Sequence, residues 1–369
     1  MRRRKRLRRK EIKKKRIIVI TVLFTTTFLL ASGYAAFSTN LNINAKGNLK
    51  LPTITVNKLK TKVVSEGDGL YTDSVEANRY VYKGGNPNNY IWIDENADET
   101  QISSELYRII SIETDNTLKI RRNNSIGTMV WDPGYSTNIS GITEANSTAG
   151  TRYSNVSTNY CYESSEEDYK GCKSWGSSTT TLDVNENNVT TMPKIAENFT
   201  TYNLPATEAY MNTYLNTTFY NGLASTIQEK IVSHIFNIGP VANNSNQTLA
   251  TDVQQEKAYK WRGKIGLMNI TDYVKASSNT ICSSLKNYSS NSDCYNTSME
   301  NNYLYKQYTH WTINPAGNSL PYVWDTNAEH VYTYYPAGPM AIEPVFFLSS
   351  NIELKGQGTQ NNPYYIVDE

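Results

Sequence analysis

The sequence predicts an α+β fold, namely a β-rich extracellular domain with two central helices. A cationic start followed by an apolar segment indicates export. Short runs rich in Tyr, Ile and Val alternate with turn residues, and two stretches of helical periodicity lie near the middle of the chain. We divide the chain into a cationic N-terminus with a signal peptide or membrane anchor (residues 1–37), an extended tether (38–78) and an α+β surface domain (79–369).

The export signal is also a charge signal. The first sixteen residues contain twelve Lys or Arg and one acid, Glu11, and they lead into apolar residues 17–31. Because such a cationic flank stays in the cytoplasm, everything after about residue 38 is predicted to lie outside the cell. Without those sixteen residues the chain has 24 basic and 33 acidic residues, a net charge of −9. An acidic ectodomain repels phosphate backbones, so no nucleic acid is expected as a partner.

The apolar segment is either cleaved or retained as an anchor. It is short for a spanning helix of roughly 20 residues and is acceptable as the core of a signal peptide. Residues Tyr34, Ala35, Ala36 and Phe37 resemble the signal cleavage region of Gram-positive biofilm-matrix fibre proteins. That resemblance implies cleavage there, and in either case the chain contacts the membrane at least transiently.

Strand signals dominate the first part of the surface domain. The tether is expected to add strands at 41–43 and 53–56, and the folded part then begins near Arg79. The predicted strands that follow are 80–82, 90–93, 107–112 and 118–121. A turn at Asp115 and Asn116 makes the last two strands a hairpin. Residues 133–205 are rich in Ser, Thr, Asn and Gly without periodicity, which predicts a long irregular insertion.

Two helices are predicted after the insertion. The first covers 206–223, and the second opens at a capping box formed by Ser225 and Gln228. Three isoleucines, at 227, 231 and 235, would share one face of the second helix until Gly239 and Pro240 end it. Further strands are predicted at 263–268, 303–308, 310–313, 322–325, 330–335, 342–348 and 364–367, with a short helix or turn at 272–277.

The four cysteines form two close pairs, Cys161 with Cys172 and Cys282 with Cys294. In an oxidising compartment this spacing favours two local disulfides. The cysteines lack the Cys-x-x-Cys spacing of zinc sites, and we predict neither a metal nor a cofactor. The acids between Asp94 and Glu105 match the spacing of a calcium loop, but Glu99 replaces its glycine and the flanks are strands.

Four segments are distinctive: 79–90 (RYVYKGGNPNNY), 106–112 (LYRIISI), 261–268 (WRGKIGLM) and 343–348 (EPVFFL). Together they resemble a group of uncharacterised surface proteins of Gram-positive and wall-less bacteria. Shorter matches lie at 119–122, 125–127, 131–132, 214–216, 272–273, 311–312, 356–359 and 362–364. The order of the segments is similar to that of C-type-lectin-like and sulfatase-modifying-factor folds, which implies a lectin-like C-terminal half.

The resemblance does not extend to a calcium-dependent sugar site. Such lectins use a Glu-Pro-Asn or Gln-Pro-Asp loop and a Trp-Asn-Asp strand. Here Val345 follows Glu343 and Pro344, and Thr326 follows Asp325. Glycan recognition would therefore depend on stacking against tyrosine and tryptophan rings.

We therefore expect an exported, non-catalytic bacterial cell-surface binding protein, an adhesin or lectin-like protein, with a glycan or protein ligand on a cell surface or matrix. The chain has 28 Tyr and only 8 Phe, and tyrosine combines a stacking ring with a hydroxyl. The residues predicted to contact the ligand are Tyr305, Tyr308, Trp311, Tyr322, Trp324, Tyr332, Tyr334 and Tyr335. One alternative is a structural subunit of an extracellular matrix or fibre. The other is a cell-wall or glycan hydrolase using carboxylates such as those at 166–168.

Overall fold

A computed structural model describes residues 52–95, 104–132, 161–162, 171–194, 201–242, 247–290, 292–317, 322–327 and 331–367. These residues form a β-rich α+β architecture, as predicted. The proposed cleavage region at Tyr34, Ala35, Ala36 and Phe37, the strand at 41–43 and the carboxylates at 166–168 lie outside these ranges. None of the helices within these ranges is long and apolar enough to cross a bilayer.

The folded unit begins earlier than the predicted tether allows, at Thr53. Strand β1 (Ile54–Thr55) continues directly into helix α1 (Val56–Lys60), whose Val56 and Leu59 are buried. Residues 53–78 therefore belong to the fold. The strand predicted at 53–56 is present as β1, but the extended tether does not reach residue 78, because β1 pairs with a strand near the end of the chain and anchors this segment to the main sheet.

The main sheet contains eleven strands. They are β1, β2 (Gly69–Thr72), β3 (Tyr80–Lys83), β4 (Tyr90–Asp94), β5 (Ser104–Ile112), β6 (Leu118–Arg122), β13 (Ile231–Val232), β16 (Ile265–Gly266), β21 (Val345–Leu348), β22 (Glu353–Lys355) and β23 (Tyr364–Val367). The main path is β1-β22-β23-β4-β5-β6-β21-β13, and only the β23–β4 pair is parallel among these pairings. The predicted β5–β6 hairpin is confirmed, with Asn116 at a φ of 69° in its turn.

A second sheet has five strands in the order β19-β18-β17-β20-β7. These are β7 (Thr128–Val130), β17 (His310–Pro315), β18 (Val323–Thr326), β19 (Val331–Tyr334) and β20 (Pro339–Ala341). Smaller ladders complete the described strands: β8 (Cys161–Tyr162) with β9 (Gly171–Cys172), β11 (Thr191–Met192) with β12 (Tyr202–Asn203), and β10 (Thr181–Leu182) with β15 (Lys260–Gly263) and β14 (His234–Asn237). The segment 303–308, predicted as a strand, contains turns and bends instead.

The first predicted helix is present and the second is mostly wrong. The first comprises α2 (Tyr210–Tyr214), a π-helical turn (Leu215–Phe219) and α3 (Tyr220–Gly222). The second, α4 (Ser225–Lys230), has Ala224 as its N-cap without a side-chain cap, and the chain then enters β13 and β14. The β-branched residues after α4 pair with neighbouring strands instead of continuing the helix. The prediction was wrong because a short apolar run is compatible with the periodicity of a helix and with that of a buried strand. The other helices are α5 (Leu249–Lys257), α6 (Ile270–Lys275), α7 (Leu285–Ser290) and α8 (Ser292–Asn301).

A chain of ring contacts leads from β17 of the second sheet, through the predicted insertion, to β15 of the three-stranded ladder. Trp131 contacts Trp311 at 6.0 Å and Trp175 at 5.1 Å between ring centroids, and Trp175 contacts Trp261 at 5.9 Å. Trp175 and Met192 are fully buried. The later part of the predicted irregular insertion 133–205 is therefore a component of the core, which a single tryptophan in a polar stretch did not signal.

Three of the four cysteines are seen in disulfide bonds. Cys282 and Cys294 are bonded to each other, twelve residues apart in sequence. Cys172 is disulfide-bonded and lies opposite Cys161 in the β8–β9 ladder.

Candidate functional site

The two tryptophans of the predicted contact surface lie in the core. Trp311 and Trp324 are each 1 % exposed. Their indole N–H groups donate to the backbone carbonyls of Met129, at 3.1 Å, and of Val241, at 2.9 Å. A ring enclosed on both faces cannot stack on a ligand. Trp311 and Trp324 are therefore removed from the residues predicted to contact the ligand.

Three of the predicted tyrosines, Tyr322, Tyr334 and Tyr335, contact one another, and Tyr332 lies two residues before Tyr334 on β19. We name these four residues the tyrosine patch. Tyr332 and Tyr334 lie on one face of β19 because side chains alternate along a strand, and they are 57 % and 39 % exposed. The hydroxyls of Tyr322 and Tyr335 are hydrogen-bonded at 2.8 Å, and their rings meet edge to face at 4.6 Å. Tyr334 contacts Tyr335 at 5.8 Å. The patch thus combines exposed ring faces with paired hydroxyls.

The other two predicted tyrosines have different surroundings. Tyr305 is half-buried. The Tyr308 hydroxyl donates to Glu343 Oε1 at 2.6 Å, and Glu343 is also ion-paired with buried Arg121. Burial and the nearby Arg121 hold the pKa of His310 well below its usual value, so this histidine is neutral and structural.

A buried carboxyl lies next to Tyr332 of the tyrosine patch. In the register of the second sheet, Asp325 of β18 stands between Trp311 of β17 and Tyr332 of β19. Asp325 is 2 % exposed, and its Oδ2 atom has no hydrogen-bond partner among the described residues. Burial raises its pKa to about 7, because a low-dielectric site disfavours the charged form.

Sequence reasoning missed a second aromatic surface, on the main sheet. Trp92 of β4 and Tyr365 of β23 are direct neighbours in the parallel pairing, and they are 38 % and 43 % exposed. Strand β4 alternates strictly at this point, since Ile91 and Ile93 are fully buried on the opposite face. The signal in the sequence was slight, because residues 90–94 are apolar up to Asp94. Asp94 lies two residues after Trp92 on the strand and so marks the face on which Trp92 is exposed.

A groove extends from these two rings, and we name it the outer groove. It consists of two adjoining cavities of about 180 and 320 Å³ that share Lys230 and Ile366 in their walls. The smaller cavity contains Trp92, Asp94 and Tyr365. The larger is lined by polar and apolar residues in similar measure, and its remaining lining residues are Glu229, Ser349, Asn351, Ile352, Glu353 and Val367.

A larger cleft of about 520 Å³ lies beside the Cys282 disulfide. Its walls are rich in serine hydroxyls, and the Lys83 ammonium lies 5.5 Å from the centre of the Tyr71 ring. Burial and the neighbouring Lys275 lower the pKa of Lys83, with Asp73 opposing them. The cleft offers polar contacts but little exposed aromatic surface.

A network of buried charges stabilises the contact between α6 and the main sheet. Asp272 accepts from Arg79 at 3.0 Å and from Lys119 at 2.6 Å. Arg79 also pairs with Asp73 at 2.8 Å and with Glu113 at 3.0 Å. The cavity that these groups enclose measures about 30 Å³, which is room for about one water molecule. Each of these charged groups is paired with an opposite charge inside the network. We therefore interpret the network as stabilising the fold and not as binding a ligand.

Among the described residues, no group of three or more His, Cys, Asp or Glu side chains is placed to hold a metal ion. Comparisons with protein-family models, with curated proteins and with solved structures found no match to this chain.

Proposed function

We propose that this chain is an exported, non-catalytic cell-surface binding protein that recognises a glycan or protein ligand on a cell surface or matrix. The observation that supports the proposal is the tyrosine patch, in which Tyr332 and Tyr334 are exposed and Tyr334 contacts Tyr335, whose hydroxyl is paired with that of Tyr322. Tyrosines of this kind supply large contact areas at low entropic cost and are enriched in binding surfaces.

We also propose that the C-terminal half has a C-type-lectin-like arrangement. It is motivated by the order of the segments that resemble bacterial surface proteins. The pairing of β23 near the end of the chain with β4 near its start is compatible with it. The calcium site of such lectins is not part of the proposal, because the sequences after Pro344 and Asp325 depart from it.

The test is a glycan array probed with the full-length protein in mild detergent, once with calcium and once with a chelator. Replacing both Tyr332 and Tyr334 with Ala should weaken binding about tenfold or more, the size expected for a contact centre. Val184→Ala is the matched control, since Val184 is 57 % exposed and lies outside the patch. Equal affinity of the double variant and the control would contradict the assignment. Absence of binding combined with filaments in electron micrographs would instead favour a matrix subunit.

A further inference from the structure

The exposure of Trp92 sets it apart from every other tryptophan of the chain. The chain has six tryptophans, and the other five are between 0 % and 3 % exposed, against 38 % for Trp92. Exposing a large ring beside a second exposed ring, Tyr365, leaves apolar area in water that burial would stabilise. Here the two exposed rings adjoin each other and are rimmed by polar residues, which is the arrangement that distinguishes binding sites from singly exposed apolar residues.

The chemistry of the outer groove is mixed rather than apolar. Asp94 lines the smaller cavity together with the two rings. The adjoining larger cavity adds the Asn351 amide, the Ser349 hydroxyl and two further carboxylates. A sugar ring matches this combination, because one of its faces presents C–H groups that pack on an aromatic ring while its edge presents hydroxyls that donate and accept hydrogen bonds. A lipid chain or an apolar helix would leave the polar wall without partners, which costs free energy.

The charges of the outer groove narrow the choice of saccharide. Its walls contain three acids, Asp94, Glu229 and Glu353, and one cation, Lys230. A polyanionic glycan would bring like charges together there, and juxtaposed like charges disfavour binding. We propose that the outer groove binds an uncharged oligosaccharide, with one sugar ring on Trp92 and Tyr365. This site lies on the main sheet and does not depend on the tyrosine patch of the second sheet.

Trp92 itself provides the readout. Acrylamide quenches exposed tryptophans selectively, so the quenchable fraction of the fluorescence of the full-length protein should come from Trp92 and disappear in Trp92→Phe. The probes are cellotetraose and N-acetylglucosamine tetramer as uncharged ligands, with a heparin tetrasaccharide as the anionic control. An uncharged probe should protect Trp92 from acrylamide in a saturable manner.

Variants separate this site from the tyrosine patch. Tyr365→Ala should weaken the protecting probe about tenfold, equivalent to roughly 1.4 kcal/mol, whereas Tyr332→Ala should leave protection unchanged. No protection by either uncharged probe at millimolar concentration, or protection by heparin alone, would overturn the inference. Loss of protection in Tyr332→Ala but not in Tyr365→Ala would also overturn it, while supporting the patch.

Discussion

Replacing Asp272 with Asn should destabilise the protein strongly through the buried charge network. Asp272 is 3 % exposed, and its two oxygens accept from Arg79 and Lys119. In the variant Arg79 keeps Asp73 and Glu113 as partners. Among the described residues Lys119 keeps only neutral partners: the one oxygen of the new amide, Asn269 Oδ1 at 2.9 Å and the Phe347 ring. The isosteric amide creates no cavity, so the lost charge is the main change.

The magnitude follows from the burial of the pair. Removing one partner of a buried ion pair costs about 3–5 kcal/mol, because the other charge stays out of water without compensation. At roughly 2 °C per kcal/mol for a domain of this size, the melting temperature should fall by about 6–10 °C. Glu186→Gln is the matched control. Its 2.8 Å pair with Arg262 is about half exposed on both sides, and such surface pairs contribute about 0–1 kcal/mol.

The assay is urea unfolding followed by tryptophan fluorescence, at neutral pH and in acid. Lys119 and Arg79 lower the pKa of Asp272, although burial alone would raise it. A carboxyl with a lowered folded-state pKa stabilises fully above its unfolded pKa, about 4, and loses that contribution as the pH falls further. The difference between wild type and Asp272→Asn should therefore shrink below about pH 4. A variant within 1 kcal/mol of the Glu186→Gln control at pH 7 would refute this reasoning.

Two further predictions concern a second carboxyl and a disulfide. Burial raises the pKa of Glu256 to about 8, so the folded state keeps a proton that the unfolded state has lost and stability should fall as the pH rises from about 4.5 to 8. Glu256→Gln should flatten that slope by up to roughly 1.4 kcal/mol per pH unit in urea titrations, and an unchanged slope would contradict the assignment. Replacing Cys282 and Cys294 together with Ala should lower the free energy of unfolding by about 3 kcal/mol, the loop-closure value for a bond of this span. A double variant as stable as the oxidised wild type in calorimetry would count against it.

The parts of the fold that were predictable are those specified by local sequence. The β5–β6 hairpin needs a turn residue that tolerates a left-handed backbone, and Asn116 supplies it at a φ of 69°. The segment after Lys230 was not predictable in this way. Ile231 and Ile235 suit a helical face, yet they pair with Leu348 and Arg262 of strands that lie elsewhere in the chain.

The candidate site shows the same division between local and distant information. Trp324 of β18 and Trp92 of β4 are both strand tryptophans, but all four residues of β18 are buried whereas β4 alternates. Burial on both faces of a strand depends on what covers the sheet, and that cover comes from distant segments, such as Val241, whose carbonyl accepts from Trp324. The one sign in the sequence that Trp92 faces outward is Asp94, which lies two residues further along β4 and therefore on the same face. Because a carboxylate is rarely buried without a partner, a charged residue at that spacing is a better guide to an exposed ring than an aromatic-rich stretch.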